Sequence, residues 1–486
     1  MEKIEHFLDK HRIFLVLVFI FAVSFAMISH QMVDYDYWFH YATGEYIVKS
    51  HAIPKTAIYS WYGTENNLSW ISHEWLFGLF IYEWTNIIGY SSLSILCPAL
   101  VSLSITFAFW ISYDKWINYP LIGVVTLFMV AITGYEVLAP RPQLLMYLMF
   151  VGLCYIFINE SYKPSNKIWF LPFLTILWVN IHGGSYALIF VLFLFLIVTQ
   201  SFNFNFGKFD FKKIDNQWTL KRIAVFFISL ACVIINPHGL KMYLYPFTNM
   251  SDTTMVNSIS EWQSINFNSL QAFEIVWIIF VAVYFILIIS FKKKINPFRF
   301  LLACAFIFLG VKSIRFIFQT SLVMVMLLPE YFGNIKELHV KDLEIILIIS
   351  TIIFVCWTVY DMDDYYGIPL NMSNFPSDEM IETLQELPED TKLFNTYNIG
   401  GYLMYNHINI FIDGRADIYS KYNLSDYMKI QNLSEPLENL IDEYKFEYLL
   451  VKKDSKVDYW CEIQTKYTLE VIQKDNKFVL YKIHKD

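Results

Sequence analysis

An apolar run from Ile13 to Ser29 stops abruptly at Asp34-Tyr-Asp36-Tyr-Trp-Phe-His40, and apolar runs of similar length recur along the chain. Runs of about 17–20 apolar residues can cross a bilayer core, so their repetition leaves room for little except a bundle of membrane-crossing helices. The chain is 56% hydrophobic and only 16% charged, where a soluble domain has about 25% charged residues. The first run is too long for a signal-peptide core and no small-residue cleavage site follows it, so it is expected to persist as a span. A net charge of −8 gives no electrostatic footprint for nucleic acid. Cys97, Cys154, Cys232, Cys304 and Cys356 lie in apolar runs, with only Cys461 in polar sequence. That arrangement offers neither a disulfide framework nor zinc spacing.

Eleven spans are expected, at roughly 13–30, 91–112, 120–138, 143–160, 167–181, 184–201, 222–236, 273–291, 298–314, 316–330 and 343–360. Basic residues then fall in alternate loops: Lys3, Lys10 and Arg12; Lys163 and Lys167; Lys208, Lys212, Lys213, Lys221 and Arg222; Lys292, Lys293, Lys294 and Arg299; Lys336 and Lys341. With a cytoplasmic N-terminus, all of these loops are cytoplasmic and the positive-inside rule holds throughout. Counting 74–90 as a further span would reverse the loops after it, so that segment is read as an amphipathic helix on the outer surface. The chain is thus expected to be an α-helical polytopic membrane protein. Residues 1–360 form its transmembrane domain, 31–90 the first outer loop, and 361–486 a small extracytoplasmic α/β domain. In that domain, segments 447–452, 468–473 and 477–483 predict strands and 377–387 and 434–445 predict helices.

This topology gathers the unusual polar residues on the outer side. They are Asp34, Asp36 and His40 after the first span, His73 and Glu74 at the surface helix, Arg141, His182, His238 after Asn236-Pro, Glu261-Trp262, Lys312 and Arg315. An ionisable group at membrane depth costs about 3 kcal/mol or more, so it is read by default as functional. Plainer readings stand beside the functional one. The acidic couplet and His40 and His73 can be interfacial residues, His182 and His238 helix-end residues beside glycine turns, and the arginines can reach lipid phosphates. The chemistry that suits the whole set is transfer from a lipid-linked phosphate donor. A carboxylate takes the acceptor's proton, and arginine recognises the phosphate leaving group through two parallel hydrogen bonds. Two acidic residues two positions apart also suit Mg²⁺ or Mn²⁺.

The residues that carry chemistry match a family pattern. Asp34-Tyr-Asp36 after the first span, Ala42-Thr-Gly-Glu-Tyr-Ile-Val-Lys-Ser-His-Ala-Ile-Pro54 and the surface helix 74–90 resemble the first outer loop of the GT-C glycosyltransferases. These multi-spanning enzymes use polyprenyl-phosphate-linked sugars, and they include protein O-mannosyltransferases, lipid A aminoarabinose transferases and oligosaccharyltransferases. The chain is most similar to a group of bacterial membrane proteins assigned to that superfamily. The likeness rests on Ser72-His-Glu-Trp-Leu76, Arg141-Pro-Gln143, Trp178-Val-Asn-Ile-His-Gly-Gly184, Asn236-Pro-His-Gly239, Phe394-Asn-Thr-Tyr-Asn-Ile-Gly-Gly-Tyr-Leu403 and Phe411-Ile-Asp-Gly-Arg-Ala-Asp417.

The resemblance implies a transferase of the cell membrane that moves a sugar from a polyprenyl-phosphate carrier to a cell-envelope acceptor. Asp36 would be the base, and Asp34 a second carboxylate or a metal ligand with Asp36. Arg141 and Arg315 would bind phosphate, and His40, His73, Glu74, His182 and His238 would line the pocket. Asp413, Arg415 and Asp417 would contribute to it from the tail, although Asp413-Gly-Arg-Ala-Asp also suits a simple turn after a strand at 408–412. Arg141 stands where many relatives have a second acidic residue. With no glycine-rich phosphate loop in the chain, a nucleotide-sugar donor is disfavoured. A non-catalytic scaffold of envelope assembly that keeps the architecture is the alternative. A transporter is the third reading, and no repeated half or broken helix pair supports it.

Overall fold

The computed structural model describes residues 2–332 and 369–484. The chain divides into two compact units. Met1–Met32, Tyr90–Pro246 and Ile259–Pro369 form a helical unit, and Val33–Gly89, Phe247–Ser258 and Leu370–Asp486 form a smaller mixed one.

In the helical unit the apolar runs become the helices Glu2–Ile28, Leu93–Ile111, Pro120–Tyr135, Gln143–Tyr162, Leu171–Ile181, Ala187–Thr199, Asn216–Cys232, Ala272–Ser290, Pro297–Lys312 and Ile317–Leu327. The run at 343–360 and the boundary expected after residue 360 lie outside the described residues. Among the described residues, five segments are long and apolar enough to cross a membrane: His11–Ile28, Tyr90–Ile111, Gln143–Tyr162, Ala272–Ser290 and Ile314–Tyr331. The fold is therefore a multi-pass membrane fold, with five crossings carried by length and composition where the sequence suggested eleven. Breakers explain the difference in part. Pro120 and Pro172 sit at helix starts, and Gly183-Gly184 separates Leu171–Ile181 from Ala187–Thr199. A helix as short as Ala187–Thr199 rises only about 20 Å.

Lipid tails are as apolar as leucine, so contact between helices relies on close packing and small residues. Gly134 supplies such a contact: a Cβ there would lie 3.1 Å from both Ile28 and Val101 side chains. Ile314–Tyr331 is 78% buried and His11–Ile28 only 28%, which puts the former inside the bundle and the latter on its rim. Arg222, expected in a basic loop, is 1% exposed. Its Nη2 lies 3.1 Å from Glu160 Oε2, its Nη1 donates to Gln200 Oε1 at 2.5 Å, and Ser165 Oγ donates to Glu160 Oε1 at 2.8 Å. A buried charge pair with its remaining hydrogen bonds satisfied is tolerated where a lone charge would not be.

The smaller unit begins with two helices, Tyr37–Ser50 and Trp75–Ile88. They meet where Gly44 faces Gly78; a Cβ on Gly44 would sit 2.2 Å from the Gly78 carbonyl oxygen. Trp75–Ile88 has 14 residues, about 21 Å of helix and too short to span. It buries Phe77, Gly78 and Ile81 and leaves Ile87 and Ile88 exposed.

The tail supplies a four-stranded sheet. Leu393–Asn395 runs parallel to Tyr448–Lys452, which pairs antiparallel with Phe478–His484, which pairs in turn with Thr468–Lys474. The last three correspond to the expected strands, and the expected helices form as Asp378–Gln385 and Leu437–Tyr444. The segment 408–412 is not a ladder strand. Ile410 makes an isolated parallel bridge to Ser60. Asn395 takes over the polar groups that follow, accepting from Phe411 N at 2.8 Å and donating to Ile412 O at 2.8 Å. Phe411 packs against Trp61, Tyr444 and Phe446 with ring centroids 4.9–5.6 Å apart, so loop 33–89 and the tail share one aromatic core.

Candidate functional site

The functional candidates fall into two groups, one in each unit. In the smaller unit, Asp36 stands at the N-terminal end of Tyr37–Ser50 without capping it. A Cβ at Gly414 would lie 2.5 Å from Asp36 Oδ1, so only glycine lets the Asp413–Asp417 turn approach that carboxylate. Asp34 is 1% exposed and accepts from Tyr37 N at 2.7 Å. That bond anchors the helix start, a common use of a short acidic side chain. Gly400 and Gly401 close the other side. A Cβ on Gly400 would sit 2.3 Å from Ile412 O, and one on Gly401 3.1 Å from Phe39 N and Tyr35 O.

Glu74 stands between two imidazoles, with Oε2 3.8 Å from His40 Nε2 and Oε1 3.4 Å from His73 Nε2. The other face of His73 meets Asp417, with Nδ1 4.0 Å from Oδ2. Ser72 Oγ donates to Pro54 O at 2.8 Å and fixes the segment that presents them. Burial lowers the proton affinity of His73, but Glu74, Asp417 and the Ile71 carbonyl outweigh it and raise its pKa above 6.5. His73 therefore tends toward imidazolium between two carboxylates.

Asp413 and Arg415 are both buried. Arg415 Nε donates to Asp413 Oδ1 at 2.7 Å and Nη2 to Oδ2 at 2.5 Å, a forked pair, while Tyr419 OH donates to Oδ2 at 2.6 Å. The guanidinium also lies 4.6 Å from the Trp70 ring. Burial works against the Arg415 charge, yet Asp413, Tyr419 and Asp417 raise its pKa. Tyr397 OH donates to Gly414 O at 2.9 Å. Burial first, then Asp36, Asp413 and Asp417, push that phenol well above its ordinary pKa and keep it a neutral donor. Sequence reasoning missed Tyr397, Tyr419 and Trp70 as members of the site. Tyr419, four residues after Arg415, was the one a helical offset could have revealed.

In the helical unit, Arg141 Nη1 lies 2.8 Å from Glu261 Oε1. Arg141, with Arg315 nearby, holds the Glu261 carboxyl below its ordinary pKa although burial opposes this. Glu261 is thus the acidic partner of Arg141. Arg315 Nη2 lies 3.3 Å from His182 Nε2, and His182 Nδ1 is 2.6 Å from Ser185 Oγ. Because the guanidinium only donates, Nε2 accepts and the proton sits on Nδ1, directed at Ser185. His182 is therefore a neighbour of Arg315, held by the turn after Leu171–Ile181. His238 lies in another turn: its N–H donates to Asn236 Oδ1 at 2.9 Å, just before Gly239 with φ +52°.

Asp34 accepts from the Tyr37 backbone, whereas Asp36 does not cap the helix that it precedes. Among the described residues, no group of three or more histidine, cysteine or carboxylate side chains is arranged to hold a metal ion.

Comparison with solved structures finds a similar fold in the archaeal oligosaccharyltransferase AglB from Archaeoglobus fulgidus, solved in complex with an inhibitory peptide and a dolichol-phosphate. The TM-score is 0.57 over 92% of this chain and 70% of that one, at 11% sequence identity. At that identity the likeness is one of fold alone. No family model matches the chain, and no curated protein does.

Proposed function

We propose that this chain is a GT-C-type glycosyltransferase. It moves a sugar from a polyprenyl-phosphate-linked donor to a cell-envelope acceptor on the outer face of the membrane. Fold alone does not define an activity; the observation that carries the reading is the convergence on Asp36 of Gly414, Tyr397 and the Asp413–Asp417 turn. The solved neighbour, with its dolichol-phosphate, makes a lipid-linked phosphate the natural donor class.

In this reaction Asp36 takes the proton of the acceptor hydroxyl or amine as its oxygen or nitrogen bonds to the anomeric carbon. The bond from that carbon to the phosphate oxygen breaks, and its electron pair leaves with the polyprenyl phosphate. Within the helical unit, taken by itself, Arg141 and Arg315 are the residues we assign to a phosphate, Arg141 exchanging its Glu261 carboxylate for it. Tyr397 and the His73 imidazolium orient the acidic set, with Glu74 and Asp417 balancing its charge. Asp34 keeps the helix start in register. General-base help of this kind contributes about 10²–10⁴-fold.

The test is turnover of a labelled polyprenyl-phosphate sugar by the purified protein against Asp36→Asn. A drop of about a hundredfold or more is expected for the variant, and equal turnover removes Asp36 from the mechanism. No turnover by the unmodified protein with any lipid-linked donor, together with a stable partner captured by crosslinking, favours the scaffold reading.

A further inference from the structure

We propose that a cleft in the smaller unit binds the anionic sugar of the acceptor; this rests on the transferase reading for its role, though not for its existence. The cleft has a volume of about 150 Å³ and is lined by Tyr35, Tyr427, Phe478, Lys452 and Lys477, with the amides of Asn398 and Gln431. That volume is below the usual range of whole small-molecule sites, about 300–1,000 Å³. It suits one ring of a longer ligand.

The charge pattern selects the ligand. In a chain with 44 acidic and 36 basic residues, this cleft is lined by two lysines and, among the described residues, by no carboxylate. Both lysines come from the same end of the Tyr448–Lys452 and Phe478–His484 strand pair, where Lys453 N donates to Lys477 O at 2.7 Å. Asp475, close by in sequence, has its oxygens taken by the backbone N–H groups of Ser377, Lys477 and Phe478. Among the described residues it forms no ion pair with either lysine. Tyr427, Phe478 and Tyr35 give the cleft an aromatic lining, and the flanking amides and hydroxyls offer the few placed polar contacts typical of a sugar site.

The position of the cleft gives it a task. Tyr35 lies between Asp34 and Asp36 in the chain. Tyr397 links the two places directly: its N–H donates to Tyr427 OH at 3.0 Å on the cleft side, and its own hydroxyl reaches Gly414 O beside Asp36. The cleft thus has in its wall Tyr35, the chain neighbour of the proposed base. The ligand class is a saccharide bearing a carboxylate or a phosphate.

The experiment uses the full-length protein in detergent, with glucuronic acid, glucose 6-phosphate and neutral glucose as probes followed by saturation-transfer NMR. Both anionic probes should bind, glucose should not, and added salt should weaken the signal. Lys452→Gln combined with Lys477→Gln should lower affinity about tenfold or more, equivalent to about 1.4 kcal/mol. Lys456→Gln, outside the cleft, should not change it, and equal thermal unfolding of the variants keeps the comparison valid. Equal binding of neutral and anionic probes, or an unchanged double variant, overturns the proposal. Asp36→Asn should keep the binding. Binding without transfer by any form therefore counts against the transferase reading alone, and transfer indifferent to both lysines counts against the cleft alone.

Discussion

His73 lies between Glu74 and Asp417, and that position makes it the titrating residue of the acidic set. Its folded pKa is raised above 6.5, so the stabilisation from its charge is fully present below about pH 6.5 and is lost as pH rises through the folded value. Thermal unfolding of the wild type and His73→Gln, compared from about pH 5.5 to 9, should show an advantage for the wild type that shrinks with rising pH. An advantage independent of pH would mean that the imidazole is held neutral. The Arg141–Glu261 pair has the opposite sign. Its carboxyl is depressed below 4.5, so its contribution persists above that value and fades only in acid. Neither pairing could be read from the chain, because Arg141 and Glu261 are 120 residues apart and Arg315 and His182 are 133 apart. The sequence marked Arg141, His182 and Arg315 near span ends and Glu261 in a long loop, each apart from its partner. Asp413 and Arg415 are only two residues apart, yet local spacing favoured an ordinary turn, and only burial turns them into a forked ion pair.

At the scale of elements, the helices were legible because a run of apolar residues leaves the backbone one way to satisfy its hydrogen bonds in lipid. The strands at 448–452, 468–474 and 478–484 were legible as short runs of aliphatic and aromatic residues bounded by polar sequence. Leu393–Asn395 was missed because it has three residues, all buried, and no alternation to detect. The strand expected at 408–412 fails for a related reason: its carbonyl and amide groups are taken by Asn395 and by the Ser60 turn. The crossing of Tyr37–Ser50 and Trp75–Ile88 depends on glycine at two positions. Gly44→Ala would press a methyl group against the Gly78 carbonyl and should destabilise the protein by about 1–3 kcal/mol or more. Gly123→Ala, 3.6 Å from a Trp116 side-chain atom, should be nearly neutral. Thermal unfolding in detergent compares the two, and equal losses would mean that the helix pair separates freely.

For the whole molecule, composition was enough to give a multi-pass membrane protein, and the GT-C-like expectation came from the resemblance carried by the acidic couplet and the motifs quoted with it. The grouping of loop 33–89 with the tail was not legible, since contacts between chain ends far apart leave no local signature. The basic loops give the orientation its own test. A cysteine introduced at Lys293 should react with a membrane-impermeant maleimide only after cytoplasmic access is opened, whereas one at Asn268 should react in intact cells. Labelling of both from the same side would reverse or dissolve the proposed arrangement.

The smaller unit is assembled from segments at opposite ends of the chain. During synthesis Asp36 leaves the ribosome tens of seconds before Gly414, at about 5–20 residues per second. The nascent loop carrying the acidic couplet must wait in the open for the Asp413–Asp417 turn, so a message cut short before that turn leaves the proposed base with nothing to close around it.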